Sequence, residues 1–213
     1  MRSYLSMVIL LIIAALAYGC ANPAADKPKA TVGNAAQESN AAKPAGTETL
    51  LISPENSKVE FIASKVTRTH HGSFKQFSGT IELVADNIPG SRVTIDIDTG
   101  SVVADDDQLT GHLKTADFFD VAKFPKATFV STKIEPSSSG ASTHTVTGNF
   151  ELHGVKKSIT FPATIQVTPE NVAVDAEFAI NRKDFGIVYA GKADDLIRDE
   201  VVIKLNPRVP RKK

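Results

Sequence analysis

The chain has 213 residues, with 24 Lys plus Arg, 24 Asp plus Glu and one Cys, so its formal net charge is zero. A neutral chain lacks the basic surplus that nucleic-acid-binding proteins usually carry, and we expect no nucleic-acid partner. A single cysteine also excludes an internal disulfide.

Residues 1–20 have the pattern of an export signal. Arg2 supplies a positive start, and an almost unbroken apolar run follows from Met7 to Ala17. These eleven residues are too few to cross a bilayer, which takes about 20, but they suit the apolar region of a signal peptide. A buried N-terminal helix is the alternative interpretation.

The stretch LAYGC at 16–20 resembles the lipobox of bacterial lipoproteins, in which cleavage occurs just before a cysteine that receives acyl chains. Tyr18 is bulkier than usual for this motif, and Ala17 stands where Leu is commoner. The motif predicts lipidation of Cys20 by several acyl chains such as palmitate, which together give stable membrane anchoring. We therefore expect an exported, periplasmic, membrane-anchored lipoprotein, with conventional cleavage and a free thiol as the alternative.

Residues 21–49 are rich in Ala, Asn, Lys, Pro and Thr and contain no aromatic residue. This composition predicts a disordered tether, which would hold a domain roughly 30 Å from its anchor. The remaining residues, 50–213, are enough for one domain with a substantial core.

Apolar and polar side chains alternate with a period of two from residue 57 onward, most regularly in RVTIDID at 92–98. Successive side chains of a strand point to opposite faces, so each segment has one buried and one wet face. The larger side chains that we expect in the interior are Phe61, Phe77, Ile81, Ile95, Phe129, Phe150, Phe161 and Phe178.

About eight such segments, separated by Gly, Pro, Asn, Asp or Ser, predict an all-β fold with an antiparallel sheet. A sandwich and a barrel both bury one face, but Gly79 and Gly148 inside strands favour the strong coiling of a barrel. We therefore predict an extended eight-stranded antiparallel β-barrel. Such an interior is either filled by side chains or holds one small or slender ligand.

Residues 105–121 break this period and predict a short helical insertion between two strands. Asp106 or Asp107 can cap the helix, and Leu109, His112 and Leu113 then lie on one face.

The helical insertion leads into a cluster of aromatic rings. Phe118 and Phe119 follow the predicted helix, and Pro125 ends the insertion before the next strand. The rings either close a pocket as a lid or pack into a solid core, and the pattern leaves both open.

Three ordered motifs resemble the YceI-like family of polyisoprenoid-binding proteins. They are GHLKTADFFDVAKFPKATFVS at 111–131, GNFELHGVKKSITF at 148–161 and INRKDFGI at 180–187, and the resemblance covers roughly residues 53–206. It implies a lipocalin-like barrel whose apolar lumen takes an isoprenoid, quinone-like or acyl-chain lipid without a cofactor. Members of the family are exported, often periplasmic, and some are lipoproteins.

The motifs also contain three residues that we expect to contact the ligand at the pocket, the polar His112 and Arg182 and the aromatic Phe185. Arg182 could meet a phosphate or carbonyl of the ligand, or it could pair with Asp117 or Asp184 and brace the barrel end. In the family that this chain resembles, basic residues often stand shortly before the His-Leu pair, whereas this chain has Asp105–Asp107 there. The chemical identity of the ligand's polar end therefore stays open.

Catalytic and metal-binding patterns are weak in this sequence. His70 and His71 are adjacent and would point to opposite faces of a strand, and no HExxH motif is present, so we expect no metal site. We therefore predict a membrane-tethered lipid carrier and not an enzyme. A lipid-acting enzyme with His112 as general base, or a structural envelope protein with a filled core, is the alternative, and a homodimer is one further arrangement to test.

Overall fold

The computed structural model describes residues 21–38, 44–84, 87–138, 140 and 142–211. The predicted signal at 1–20 and the predicted lipidation site Cys20 lie outside the described residues. Within the described part, the chain forms one α-helix and fifteen strand segments. The helix is α1 (Asp107–Leu113), and the segments are β1 (Thr31–Asn34), β2 (Thr47–Ile52), β3 (Val59–Ser64), β4 (Thr69–Phe74), β5 (Phe77–Val84), β6 (Asn87–Asp98), β7 (Val102–Ala104), β8 (Lys126–Pro136), β9 (His144–Leu152), β10 (Val155–Val167), β11 (Asn171–Asn181), β12 (Gly191–Lys192), β13 (Asp195–Leu196), β14 (Glu200–Leu205) and β15 (Arg208–Pro210).

Most of these segments combine into eight long strands. The segments β14 and β15 continue one strand across a bend, because both pair with β11. The pairs β2–β3, β4–β5 and β6–β7 likewise continue one strand each, because β2 and β6 flank β5 while β3 and β7 flank β4. The strand β8 and its successors β9, β10 and β11 supply the other four.

The eight strands form a curled antiparallel sheet that returns to its beginning. Pairing runs from β3 to β4–β5, then through β6, β8, β9, β10, β11 and β14, and β14 pairs with β3 again, with Val202 opposite Ile62. The prediction of an all-β, antiparallel, lipocalin-like fold with a short helical insertion is thereby confirmed. The strand count differs from the predicted eight, because bends divide several strands and β1, β12 and β13 add short segments, which gives fifteen segments in the described residues.

One end of the barrel, which we call the lid end, carries the two long connections 105–125 and 182–199. The helix α1 starts the first connection, where the Asp106 Oδ1 atom accepts a hydrogen bond of 2.9 Å from Leu109 N. The helix ends at Leu113, earlier than predicted, and hydrogen-bonded turns continue to residue 124. This helix is too short to cross a membrane, and it is the one α-helix of the described chain.

The opposite half of the barrel is packed with aliphatic side chains. They come from most of the strands and meet in one buried cluster, and they are Leu50, Ile52, Leu83, Ile134, Val146, Ala163, Val172, Ala176 and Val209. Because these side chains fill the interior here, the space for a ligand is confined to the lid-end half.

The predicted disordered tether is wrong for the described residues 22–36, which we call the strap. The strand β1 pairs with β10, and Ala30 N donates to Ala179 O of β11 at 2.8 Å. Direct pairing of β10 with β11 covers only Thr164–Val167, so the strap fills the gap between these two strands.

The first part of the strap covers the outer face of the barrel. Ala24 is fully buried against Ala179 and Val202, whose strand neighbours Phe178 and Ile203 face the interior. The segment orders without large side chains because it satisfies backbone groups at an open strand edge. The strand β2 also begins at Thr47, inside the predicted tether.

Candidate functional site

An apolar cavity of about 140 Å³ lies in the lid-end half of the barrel. Aromatic and aliphatic side chains from the strands form its wall, and residues of the two lid-end connections cover it. Nine of the predicted ligand-binding residues line this cavity, namely Phe61, Ile95, Phe118, Phe119, Phe129, Phe150, Phe161, Phe178 and Arg182.

Four predicted binding residues lie elsewhere. Phe77 and Ile81 are buried in β5 but do not line the cavity. Phe185 is fully buried behind the wall, with its ring centroid 5.2 Å from that of Phe150. His112 lies on the outer side of the lid, with its side chain 39% exposed.

The structure adds aliphatic lining residues that we did not predict. Val201 and Ile203 line the cavity from β14, and their alternation in EVVIKL was a usable signal. Ile187 and Ile197 come from the irregular connection 182–199, where no periodic pattern marks an inward position.

Three contacting rings, one pair of them stacked and the other tilted, form the floor of the cavity. Phe178 stacks on Phe161 with ring centroids 4.1 Å apart and an interplanar angle of 12°, and Phe161 contacts Phe129 at 5.7 Å. On β11, Phe178 stands between Ile180, which lines the cavity, and Ala176, which faces the solid half. A methyl group on Gly148 would overlap the Phe129 ring, so the glycine makes room for the floor.

A second group of rings closes the cavity from the lid. Phe119 reaches Phe74 at 5.5 Å between centroids and Phe61 at 6.5 Å, while Phe118 contacts Tyr189 at 5.5 Å. Both Phe118 and Phe119 lie in the turns 114–124, which we call the lid segment. The ring cluster therefore closes a pocket, while the other half of the barrel is solid.

His112 supports the lid from outside the cavity. Its Nε2 atom lies 2.7 Å from Asp117 Oδ2, and its ring packs edge-on against Phe118 and Tyr189 at 4.9 and 5.3 Å. The imidazole therefore positions Phe118 and has no face on the lumen.

Arg182 lines the cavity but uses its donors within the protein. Nη1 donates to Ile187 O at 2.8 Å, Nε donates to Arg198 O at 3.2 Å, and Nη2 lies 3.3 Å from Asp199 Oδ1. Burial lowers the pKa of the Arg182 guanidinium, and the Asp199 charge opposes this shift. Arg182 thus braces the barrel end as one interpretation predicted, but its partner is Asp199 and not Asp117 or Asp184.

The cavity offers little to a polar group. Glu60 and Arg182 are the two lining residues with polar side chains among the described residues. The described residues also contain no group of three His, Cys, Asp or Glu side chains that could hold a metal ion. The site is therefore suited to apolar contact along the length of a ligand.

Asp105 connects the first lid-end connection to the barrel wall. Its carboxylate lies 2.8 Å from His70 Nδ1 and accepts a hydrogen bond of 3.0 Å from His71 N. Burial alone would raise the pKa of Asp105, but these hydrogen bonds outweigh it and hold the pKa below its ordinary value. The acidic stretch before the helix is thus structural in part.

The fold and sequence have relatives among known proteins. The crystal structure of Burkholderia cenocepacia BcnA matches with a TM-score of 0.63 and 26% identity, covering 73% of this chain and 96% of that chain. A polyisoprenoid binding domain from Saccharophagus degradans, implicated in plant cell wall breakdown, matches with a TM-score of 0.61 over 78% of this chain and 99% of that domain. At 18% identity the second likeness shows the fold alone.

Proteins of similar sequence are also known. A UPF0312 protein of Pseudomonas putida strain W619 is 33% identical over 140 residues, which is 63% of this chain and 72% of the relative. One from Pseudomonas fluorescens strain SBW25 is 35% identical over 133 residues, 60% of this chain and 68% of the relative. Residues 51–208 match the family described as YceI-like domain, and this chain belongs to that family.

Proposed function

We propose that this protein is an exported, membrane-tethered lipid-binding protein that holds an isoprenoid or similar amphiphilic chain in the lid-end cavity. The observation that carries the proposal is a void of about 140 Å³ whose wall is almost wholly apolar, at the place where the sequence predicted a ligand. The polyisoprenoid binding described for the Saccharophagus degradans domain supports the same class of ligand.

The volume of the cavity sets a limit on what enters without rearrangement. An engineered cavity of about 150 Å³ binds benzene, so this void takes a group of about that size. A longer chain must displace lining rings. Phe118 and Phe119 are suited to move, because they lie in the lid segment and not in a paired strand.

The geometry also indicates where the polar end of such a ligand lies. Arg182 already bonds to two backbone carbonyls and a carboxylate, so a phosphate or carbonyl inside the cavity would compete with these partners. The apolar wall then binds the tail, and burial of apolar surface contributes about 25 cal/mol of binding free energy per Å². The head group stays at the lid.

Export and anchoring rest on the N-terminal sequence. The apolar run before LAYGC and the single cysteine support a periplasmic lipoprotein whose acylated Cys20 holds it to a membrane.

One alternative has an observation in its favour. The solid aliphatic half and the packed rings of Phe129, Phe161 and Phe178 would also suit a structural envelope protein with a filled core. The catalytic alternative based on His112 has less support, because this ring lies outside the cavity wall.

Lipid content separates the carrier from the filled scaffold. We would purify the full chain gently from bacterial envelopes, extract it with organic solvent and identify lipids by mass spectrometry. Ala127→Leu puts a larger side chain into the cavity, and Ala122→Leu, at an exposed position, is the matched control. The carrier retains a stoichiometric lipid in the wild type and in Ala122→Leu but loses it in Ala127→Leu. A protein that is empty in all three preparations would favour the scaffold.

A further inference from the structure

Large apolar side chains are exposed at the lid end of the barrel. Val66, Val188 and Leu196 are 45%, 65% and 49% exposed, and all three lie in lid-end connections. We call these three residues the apolar rim. A turn at the far end, at Ser138, carries no large exposed apolar side chain in the described residues.

The rim residues lie near the covering of the cavity. Val66 N donates a hydrogen bond of 3.1 Å to Leu196 O, which holds two of the rim residues side by side. Val188 adjoins Tyr189, whose ring contacts Phe118 of the lid. The exposed apolar residues therefore lie close to the side chains that cover the cavity.

The strap brings the start of the described chain to the same end. Asn22 Nδ2 donates to Glu200 Oε2 at 3.2 Å, and Lys29 forms an ion pair with the same carboxylate. Glu200 is the first residue of β14 and directly follows the connection 182–199. Cys20 precedes Asn22 by two residues, a chain length of at most about 7 Å. An anchor at Cys20 would thus be held beside the rim and not roughly 30 Å away, as a disordered tether would allow.

The charges beside the rim are matched and give no strong field of one sign. Lys65 pairs with Asp195, and Lys183 pairs with Asp199 at 2.9 Å. Such a surface is suited to a bilayer with zwitterionic head groups, where apolar side chains enter the interface and cations are not the main attraction.

From these observations we propose that the lid end docks on the surface of a lipid bilayer through Val66, Val188 and Leu196, with the cavity facing the membrane. The docking rests on the proposed function for its anchor at Cys20, but the rim is independent of what the cavity holds. A lipid could then pass between bilayer and lumen without crossing water.

Depth-dependent quenching tests this orientation. We would reconstitute the full chain in phosphatidylcholine vesicles containing nitroxide-labelled lipid, with a fluorophore on Val188→Cys or, as the matched control at the opposite end, on Ser138→Cys. An acylated Cys20 has no free thiol, so mass spectrometry of the labelled protein checks that one site carries the fluorophore. The proposal predicts strong quenching at position 188 and background quenching at position 138. Replacing Val66 and Leu196 by Ser should reduce the quenching at position 188, because the rim no longer enters the interface, while the anchor keeps the lid end nearer the membrane than position 138.

Other outcomes overturn the proposal in distinguishable ways. Equal quenching at both positions, or stronger quenching at position 138, would exclude the orientation, and lipid retained in the same preparation would leave the proposed function intact. Protein that fails to join the vesicles would remove both anchor and docking. Energy transfer between labelled copies at position 188 without vesicles would assign the rim to a second copy of the chain. If quenching is strong at position 188 but the protein yields no extracted lipid, the docking proposal stands and the proposed ligand is excluded.

Discussion

Replacing Phe178 with Ala should enlarge the cavity at a measurable cost in stability. The Phe178 side chain is 2% exposed and stacks on Phe161 with centroids 4.1 Å apart, so little can move to fill its place. Phe→Ala changes in cores typically lower the free energy of unfolding by about 3–5 kcal/mol, and we expect a value in this range. The enlarged void joins the existing cavity of about 140 Å³ and should accept a longer apolar ligand.

Urea unfolding followed by far-ultraviolet circular dichroism suits this measurement, because the chain has no Trp and only three Tyr. A saturating isoprenoid alcohol should restore about 2.7 kcal/mol at a hundredfold excess over its Kd. Phe124→Ala is the matched control, because the Phe124 ring packs on His153 at 4.6 Å and does not line the cavity. A cost below about 1.5 kcal/mol for Phe178→Ala would refute the packed floor, since core substitutions of this size cost more. Because the cavity is intact in Phe124→Ala, the ligand should stabilise this variant as much as it stabilises the wild type. Absence of ligand stabilisation in the wild type and in both variants would refute the cavity as its site.

Three other changes test separate parts of the account. Ala127→Leu should leave the free energy of unfolding within about 1 kcal/mol of the wild-type value in urea titrations. Burial of three additional carbons contributes about 2.4 kcal/mol, which offsets packing strain of similar size around the new side chain. A large destabilisation would show that the cavity does not accept the side chain. Arg182→Lys should lower the free energy of unfolding by about 2–3 kcal/mol, since an ammonium cannot reach the carbonyls that the planar guanidinium holds. Hydrogen exchange in residues 187–198 should rise in this variant, and unchanged exchange would argue against the brace. The hydrogen bond from Lys29, helped by that from Asn22, lowers the pKa of the Glu200 carboxyl. The strap contact is therefore complete above pH 4.5 or so, the ordinary pKa of this group, and weakens as pH falls through the lower folded value. Exchange of residues 22–30, corrected for intrinsic rates, should increase in that acidic range in wild type but should change little with pH in Glu200→Gln.

The barrel and much of the cavity wall follow from a local rule. Because side chains alternate across a strand, the pattern around Phe61, Ile95 and Phe161 places them inside whatever the closure of the sheet. The helix start at Asp106 was also predictable, since a capping carboxylate acts on backbone groups within three residues of it.

Other features depend on distant parts of the chain. The alternation that places Phe178 inside does not say how its ring meets Phe161, so it cannot separate a solid half from a hollow one. The partner of Arg182 is Asp199, the last residue of the connection 182–199, which has no periodic pattern. The strap was missed because its small residues suggest disorder, whereas its order comes from the gap between β10 and β11.

Photocrosslinking shows directly whether the lid-end cavity holds an apolar chain. A farnesol analogue with a diazirine at its tail would be equilibrated with the full chain, irradiated, and mapped by peptide mass spectrometry. We expect crosslinks to cavity residues such as Ile95, Phe161 and Phe178, with most of the yield lost in Ala127→Leu. Crosslinks confined to the strap or the outer face, with the same yield in Ala127→Leu, would contradict this expectation.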